Sequence, residues 1–79
     1  MNLYMYIDFP NRGEALSFLN AVNDVIKEFG EITLADIFDM IGAPCSYKDT
    51  KIIWRNYINC NILVSGVYTV GLPMPDSMN

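Results

Sequence analysis

The sequence predicts a small α+β domain of order β-α-α-β-β, in which two helices cover one face of a three-stranded antiparallel sheet. Three patterns support this prediction: alternating apolar residues at the N-terminus, two amphipathic stretches with helix-capping signals, and two β-rich runs separated by a tight turn. With 79 residues and no internal repeat or linker, the chain is expected to form one domain over residues 1–79.

The N-terminal segment predicts the first strand. Residues 2–9 alternate with a period of two, which is typical of a strand with one buried face. The predicted core-facing set is Leu3, Met5, Ile7 and Phe9, and the predicted outer set is Asn2, Tyr4, Tyr6 and Asp8. Because the helices are expected to cover one face only, the outer face with Tyr4 and Tyr6 is predicted to stay partly bare and to serve as an interface.

A long amphipathic helix is predicted after Pro10. Asn11 and Glu14 have the spacing of a capping box, in which the amide oxygen accepts from free N–H groups and the carboxylate reaches back. Apolar residues then recur at intervals of three and four on one stripe: Ala15, Phe18, Leu19, Val22, Val25, Ile26 and Phe29. Gly30 is expected to end this helix in the left-handed conformation.

A second, shorter helix is predicted close behind the first. Thr33 is its expected N-cap, and Asp36 lies three residues later, where a negative charge favours the helix dipole. Gly42 is expected to end it, and the following Ala43-Pro44 prevents continuation. Both helices are expected to lay their apolar stripes on the same sheet, with Met40 filling the core.

The C-terminal half predicts a loop followed by a hairpin. Residues 45–59 show no clean period and are expected to form an irregular loop or a short helical turn anchored by Trp54. The runs 60–64 and 67–72 are rich in β-formers, and Ser65-Gly66 between them is a tight hairpin signal. Residues 73–79 follow the hairpin and are expected to form a flexible tail.

The composition disfavours several classes of function. Nine acidic residues against five basic ones leave a net charge of −4, whereas a nucleic-acid surface needs clustered Lys and Arg. The acidity indicates either ordinary solubility or a surface that competes with nucleic acid for a basic protein. Two cysteines and no histidine disfavour a zinc site and exclude a histidine general base, so we expect no catalytic or metal site, no cofactor and no enzyme.

The chain is also expected to be a cytoplasmic protein. The N-terminus lacks the basic segment of a signal peptide, and no apolar run approaches the ~20 residues that span a bilayer. The two cysteines fit a reducing compartment as free thiols, although the sequence leaves a disulfide open.

Apolar surface in excess of what the domain can bury predicts an interface. Hydrophobic residues make up 52% of a 79-residue chain, which has little interior to hide them. A core this thin also needs further stabilisation. We therefore expect a homodimer or a complex with another macromolecule.

Two groups of residues are candidates for the contact. Lys51, Trp54, Arg55 and Tyr57 form the aromatic–basic group, which would stack a base or anchor a protein; alternatively, Trp54 plugs the core while the basic residues stay solvated. Asp36 and Asp39 lie three residues apart on one helix face. They would act as an acid pair or cation site, but capping and solvation account for both.

Several short blocks between residues 8 and 75 resemble a family of small proteins encoded by bacteriophages and prophages of mostly Gram-positive hosts. These blocks are FPNRGEA at 9–15, FGEITLADIFDMIG at 29–42, the loop pattern of Tyr47, Asp49, Lys51 and Trp54, and Gly-x-Tyr-x-x-x-Leu-Pro-x-Pro at 66–75. The sequence departs from the family at Ile53, where glycine is usual, and at 62–64, where basic residues are common. Both departures weaken any nucleic-acid role.

The resemblance implies a phage protein in the cytoplasm of a bacterial host. Small phage proteins of this size often bind and inhibit host enzymes, CRISPR nucleases and other defence proteins among them. We expect a binding module that inhibits such a host protein by surface occlusion. Its acidic surface would comprise Glu14, Asp24, Glu28, Glu31, Asp36 and Asp39.

Two alternatives come from other classes of function. One is an oligomeric small-ligand or nucleotide-binding protein that acts as a sponge, with its pocket near Trp54, Arg55 and Tyr57. The other is a minor component of the virion or of its assembly.

Overall fold

The elements of the chain are described by a computed structural model that covers residues 3–59, 62–64 and 67–78. They are β1 (Leu3–Phe9), α1 (Arg12–Phe29), β2 (Ile32–Thr33), α2 (Leu34–Met40), a 3₁₀ helix (Tyr47–Lys51), β3 (Ile52–Trp54), β4 (Ile62–Val64), β5 (Tyr68–Pro73) and β6 (Ser77–Met78). Neither α1 nor α2 combines the length and the apolar character that a membrane span needs.

The larger sheet has the strand order β1-β5-β4, and both of its pairings are antiparallel. Val70 of β5 lies between Ile7 of β1 and Ile62 of β4. This arrangement places the first strand beside the C-terminal hairpin, so the predicted α+β class with a three-stranded antiparallel sheet and two helices is confirmed. The predicted turn at Ser65-Gly66 lies outside the described residues.

A β-bulge changes the direction of the first side chains of β1. Leu3 is opposite Pro73 and Met5 is opposite Leu72, so Tyr4 is an extra residue between two paired ones. An extra residue in one strand shifts the alternation of its side chains by one position. The predicted alternation therefore holds after the bulge, where Tyr6 is exposed and Ile7 is buried, but not before it.

Tyr4 and Leu3 consequently exchange the faces that the alternation predicts for them. The Tyr4 ring packs against the core and meets the Trp54 ring edge-on, with 5.9 Å between the centroids. Leu3 lies over Gly71, where an added Cβ would come within 2.6 Å of the Leu3 Cδ1. Since Gly71 is opposite Tyr6, Leu3 lies on the outer face. The prediction that Tyr4 lies on the bare face is therefore wrong.

A second, smaller sheet with the order β2-β3-β6 was not predicted. Ile32 of β2 is opposite Trp54, and Ile52 of β3 is opposite Met78 of β6. The segment expected to be a loop or helical turn is thus a 3₁₀ helix followed by a three-residue strand. Residues 77–78 pair with β3; the flexibility expected of 73–79 stays a prediction.

Both helices begin and end where their capping signals predict. The Asn11 side chain accepts a hydrogen bond from the Glu14 N–H at 2.9 Å, and Gly30 follows α1 with a left-handed φ of 81°. At α2, Thr33 forms a complete capping box, and Gly42 has a φ of 73°. These local signals therefore determine the positions of the helix ends.

One hydrophobic core joins the helices to the inner face of the larger sheet. Helix α1 packs against β1, β5 and β2, whereas α2 packs against β2, β3 and the 3₁₀ helix. Both helices contribute to one buried cluster: Ile7, Ala15, Phe18, Val22, Ile26, Ile32, Leu34, Ile37, Trp54, Ile58, Val70 and Leu72. The helices therefore enclose one core, with α1 packed on the larger sheet and on β2, and α2 packed on the smaller sheet.

Candidate functional site

Trp54, the centre of the aromatic–basic group, is a core residue. Its side chain is 1% exposed, and its indole Nε1–H donates to the Pro73 carbonyl oxygen at 2.9 Å. With the Tyr4 ring against it as well, the indole has no free face on which a base or a partner side chain could stack. Trp54 therefore connects β3 to the end of β5 and offers no contact surface.

The loop that follows Trp54 is held in place from two sides. The Asn23 side chain on α1 accepts from the Ile58 N–H at 2.8 Å and donates to the Ile58 carbonyl at 3.1 Å. On the other side, the Asp76 carboxylate accepts from the Arg55 N–H at 2.6 Å. These bonds hold Tyr57, which is 57% exposed, on an ordered loop that the sequence does not reveal.

The two basic residues of the group lie apart and have different neighbours. Arg55 Nε is 3.7 Å from Glu31 Oε1 in a pair that is about half exposed, and such a surface pair contributes little to stability. Lys51 Nζ lies 5.1 Å from the centroid of the Tyr47 ring, a cation–π contact. The structure therefore does not assemble the four predicted residues into one cluster.

A shallow depression does lie beside Arg55 and Tyr57. It has a volume of about 310 Å³ and is lined by Ile26, Lys27, Arg55, Asn56 and Tyr57. Of the three residues near which the sponge hypothesis places a pocket between subunits, Arg55 and Tyr57 line this depression and Trp54 does not.

Tyr6 is exposed on the outer face of the larger sheet, as the alternation predicts. Its neighbour on that face, Asp8, accepts a hydrogen bond from the Thr69 hydroxyl at 2.6 Å. Together with Leu3, these side chains cover the outer face between β1 and β5. Tyr6 is therefore one exposed aromatic residue on a mixed surface.

Asp36 and Asp39 line a groove between the C-terminal end of α1 and the exposed side of α2. This groove, called here the acidic groove, has a volume of about 440 Å³ and is lined by Val25, Phe29, Glu31, Thr33, Asp36, Asp39 and Met40. Asp36 is held by its capping box, in which Oδ2 accepts from the Thr33 N–H at 3.1 Å. Its carboxylate is therefore fixed at the groove while it caps α2.

The acidic groove carries an excess of negative charge. Three carboxylates line it, of which Glu31 is paired with Arg55, and no Lys or Arg is among the described residues that line it. Asp39 lies in the last turn of α2, which contains no basic residue, and a negative charge there is unfavourable to the helix dipole. The groove therefore presents a negative potential around an apolar floor, which suits a cationic group with an apolar body.

The apolar floor consists of residues that the sequence assigns to the core. Phe29 is 70% exposed and Met40 is 38% exposed, so the expectation that they are buried is wrong. Phe29 continues the apolar stripe of α1, but the last buried residue on this helix is Ile26, so the final turn extends beyond the core. In the sequence, the one indication of this exposure was that Phe29 stands directly before Gly30, at the end of the helix.

The acids and the cysteines are the remaining side chains that could hold a metal ion. Within 3–59, 62–64 and 67–78, no three or more Cys, Asp or Glu side chains are placed to hold a metal ion. Cys45 is an exposed free thiol, whereas Cys60 lies outside the described residues. Comparison of the chain with protein-family models, with curated proteins and with solved structures gave no match.

Proposed function

We propose that the protein is a binding module that inhibits a host protein by covering a basic surface on it through the acidic groove. The observation that carries the proposal is the combination in this groove of two exposed apolar side chains, Phe29 and Met40, with the carboxylates of Asp36 and Asp39, for which no ion pair is seen among the described residues. Charged residues on a rim speed association and select the partner, whereas desolvated anchors supply most of the affinity.

Phe29 is the main candidate anchor. Complete burial of a phenylalanine side chain contributes about 1.5–3 kcal/mol. Phe29 is 70% exposed in the free protein, so about that share of the contribution can be gained when a partner covers it. Removal of the ring should therefore weaken binding by about tenfold. Asp39 should act mainly on the association rate, since its carboxylate contributes to the field of the groove.

The target class follows from the charge of the groove and from the resemblance to phage proteins. Surfaces that bind nucleic acid carry clustered Lys and Arg, so the nucleic-acid channel of a host nuclease is complementary to an acidic groove. A CRISPR nuclease or another nucleic-acid-handling defence enzyme in the bacterial cytoplasm fits this description. The proposal thus assigns to this chain the role of an acidic competitor of the nucleic acid.

The charge also indicates that the target is a different protein rather than a second copy. Two copies joined through the acidic groove would bring carboxylates together, which is unfavourable. A homodimer, which the excess of apolar residues predicts, would have to use another face. Light scattering of the purified protein measures whether such a dimer exists.

The experiment compares three tagged variants in capture from a host lysate with quantitative mass spectrometry. Phe29→Ala removes the anchor, and Asp39→Lys reverses a groove charge. Asp24→Lys makes the same change of charge at an exposed acid that the sequence predicts in the contact but that lies outside the groove lining, so it tests whether the contact is confined to the groove. The Asp39→Lys variant should be no less stable than the parent, because a cation suits the last turn of a helix. A loss of binding would then not reflect unfolding.

The target is expected to be enriched by the parent and by Asp24→Lys, and to be captured about tenfold less by Phe29→Ala and clearly less by Asp39→Lys. Binding to the purified target, and inhibition of its activity, should also weaken steeply from about 0.05 M to about 0.5 M salt. If every captured protein remains bound to Phe29→Ala and Asp39→Lys, the acidic groove is not the binding site. Binding that is indifferent to salt would contradict the electrostatic part.

A further inference from the structure

The acidic groove continues along α1 into a second groove. This second groove has a volume of about 710 Å³ and lies between α1, the end of β1 and the end of α2, and Met40 lines both grooves. Six residues of α1 line the two grooves, and together they are called here the flank of α1: Glu14, Ser17, Phe18, Ala21, Val25 and Phe29. Successive members of this set are one, three or four residues apart. Such spacings keep residues on one side of a helix.

The length of this flank sets the size of the occupant. From Glu14 to Phe29 is a distance of 15 residues along α1, or about 22 Å at 1.5 Å per residue. A second helix of about four turns has the same length and would lie beside α1 over its full extent. A single side chain or a compact ligand would occupy only part of it.

Both grooves carry an excess of acidic residues. Asp8 and Glu14 line the second groove, and Glu31, Asp36 and Asp39 line the first. No Lys or Arg is among the described residues of either lining, although Arg55 pairs with Glu31 from outside it. The floor between these acids is apolar, with Phe9, Phe18 and Ile41 in addition to the residues named above. The complementary surface is therefore an apolar stripe with basic residues on its flanks.

A helix fits this surface better than an extended strand. The lining includes three consecutive residues of β1, Ile7 to Phe9, and none of β5, so the second groove runs along the free edge of β1. A strand added at that edge would follow β1 over these residues only. The ridges of a helix would instead pack against the i, i+3 and i+4 rows of α1 over the whole flank.

We propose that the element of the target that this protein recognises is a basic amphipathic α-helix of about four turns, which lies along α1 through both grooves. The inference rests on the proposed function and specifies the chemistry of its partner. It places the C-terminal half of the contact at Phe29 and Met40 and the other half at Ala21 and Ser17, both of which are exposed.

The test uses two synthetic 18-residue peptides of identical Leu and Lys composition. One has leucines with a period of 3.6 and the other has leucines with a period of two, so that only the first presents an apolar stripe as a helix. Fluorescence anisotropy measures the binding of each labelled peptide to the intact protein. The variant Ala21→Lys places a cation in the centre of the flank, and Asn20→Lys adds the same charge at the neighbouring exposed position outside both linings.

The helical peptide is expected to bind at least about tenfold more tightly than the alternating one. Ala21→Lys should weaken the helical peptide by about tenfold through like-charge contact, and Asn20→Lys should change it by less than about twofold. Circular dichroism and thermal unfolding of both variants establish that their folds are intact. The inference is overturned if the alternating peptide binds as well, if neither peptide binds, or if the two variants bind alike.

These outcomes are separable from those of the capture experiment. Reduced capture of the target by Phe29→Ala and Asp39→Lys, together with equal binding of the two peptides, leaves the proposed function in place and removes the helical partner. Capture that is insensitive to Phe29→Ala and Asp39→Lys removes the proposed function, whatever the peptides do.

Discussion

Replacement of Asn23 by alanine should destabilise the domain far more than its position on a partly exposed helix face implies. The Asn23 amide makes both of its hydrogen bonds to the backbone of Ile58, which is 1% exposed. Ile58 belongs to the core and lies in the loop after β3, 35 residues away in the sequence. The variant Asn23→Ala removes both bonds and leaves the N–H and the carbonyl of Ile58 without their partner.

The expected loss follows from these two bonds. Each contributes about 1 kcal/mol net, and a buried group left unpaired costs about 1–3 kcal/mol, so the loss is roughly 2–3 kcal/mol. Alanine has a higher helix propensity than asparagine, which offsets about 0.6 kcal/mol of this loss. The free energy of unfolding should therefore fall by about 2 kcal/mol, which is a large part of the few kcal/mol that hold a domain of this size.

Asn20→Ala is the matched control, because Asn20 is an exposed asparagine on the same helix. It changes the helix propensity in the same way and should stabilise the domain by about 0.6 kcal/mol. Urea unfolding followed by circular dichroism measures both variants. With a slope of about 1 kcal/mol/M, the two midpoints should differ by roughly 2.5 M. Midpoints within about 0.5 M of each other would refute the reasoning, since Asn23 would then not hold the loop.

Three further predictions use the same urea assay. Trp54→Phe should lower the free energy of unfolding by about 2 kcal/mol, because it leaves the Pro73 carbonyl without this hydrogen bond and creates a cavity. A loss below about 0.5 kcal/mol would contradict the role of the indole. Gly71→Ala should lower the free energy of unfolding by about 1 kcal/mol more in the parent than in a Leu3→Ala variant, which lacks the side-chain atom at 2.6 Å. Equal losses in both would show that the Leu3 side chain does not lie over Gly71. Gly30→Ala should cost about 1 kcal/mol through its left-handed backbone alone, and Gly30→Asn should cost less; the reverse order would contradict that explanation.

The helices and the larger sheet could be predicted because their signals are local or periodic. Asn11 and Thr33 each lie three residues before an acid, and Gly30 and Gly42 follow the last turns. The hairpin strands are adjacent in the sequence, and the alternation of β1 supplies the third strand. Each of these features involves residues close together in the chain, so a single sequence contains enough information.

The smaller sheet and the bulge could not be predicted for the opposite reason. Strand β3 is three residues long, too short for a period to be visible, and its partners Ile32 and Met78 lie about twenty or more residues away on either side. The bulge at Tyr4 is set by the register against β5 rather than by any residue of β1 alone. Long-range pairing decided both features.

Some residues of the candidate site could be named from the sequence, but their arrangement could not. The structure places Asp36 and Asp39 at a groove, but the aromatic neighbour of these acids is Phe29 rather than Trp54. Burial of Trp54 and exposure of Phe29 depend on where α1 extends past the core, which amphipathic spacing does not record. An acidic pair and an apolar helix end were both visible in the sequence; their proximity was not.

The acid at the end of α2 has a consequence for how the free protein responds to its environment. Asp39 lies at the negative pole of its own helix, whose last turn has no basic residue, and it lines the groove together with Asp36, so its charge is unfavourable there. A cation that binds in the groove reduces that repulsion and interacts favourably with the C-terminal end of the helix dipole. The free protein therefore keeps an unfavourable charge at the end of α2, and this helix should unfold less readily when a cationic group occupies the groove than when the groove is empty.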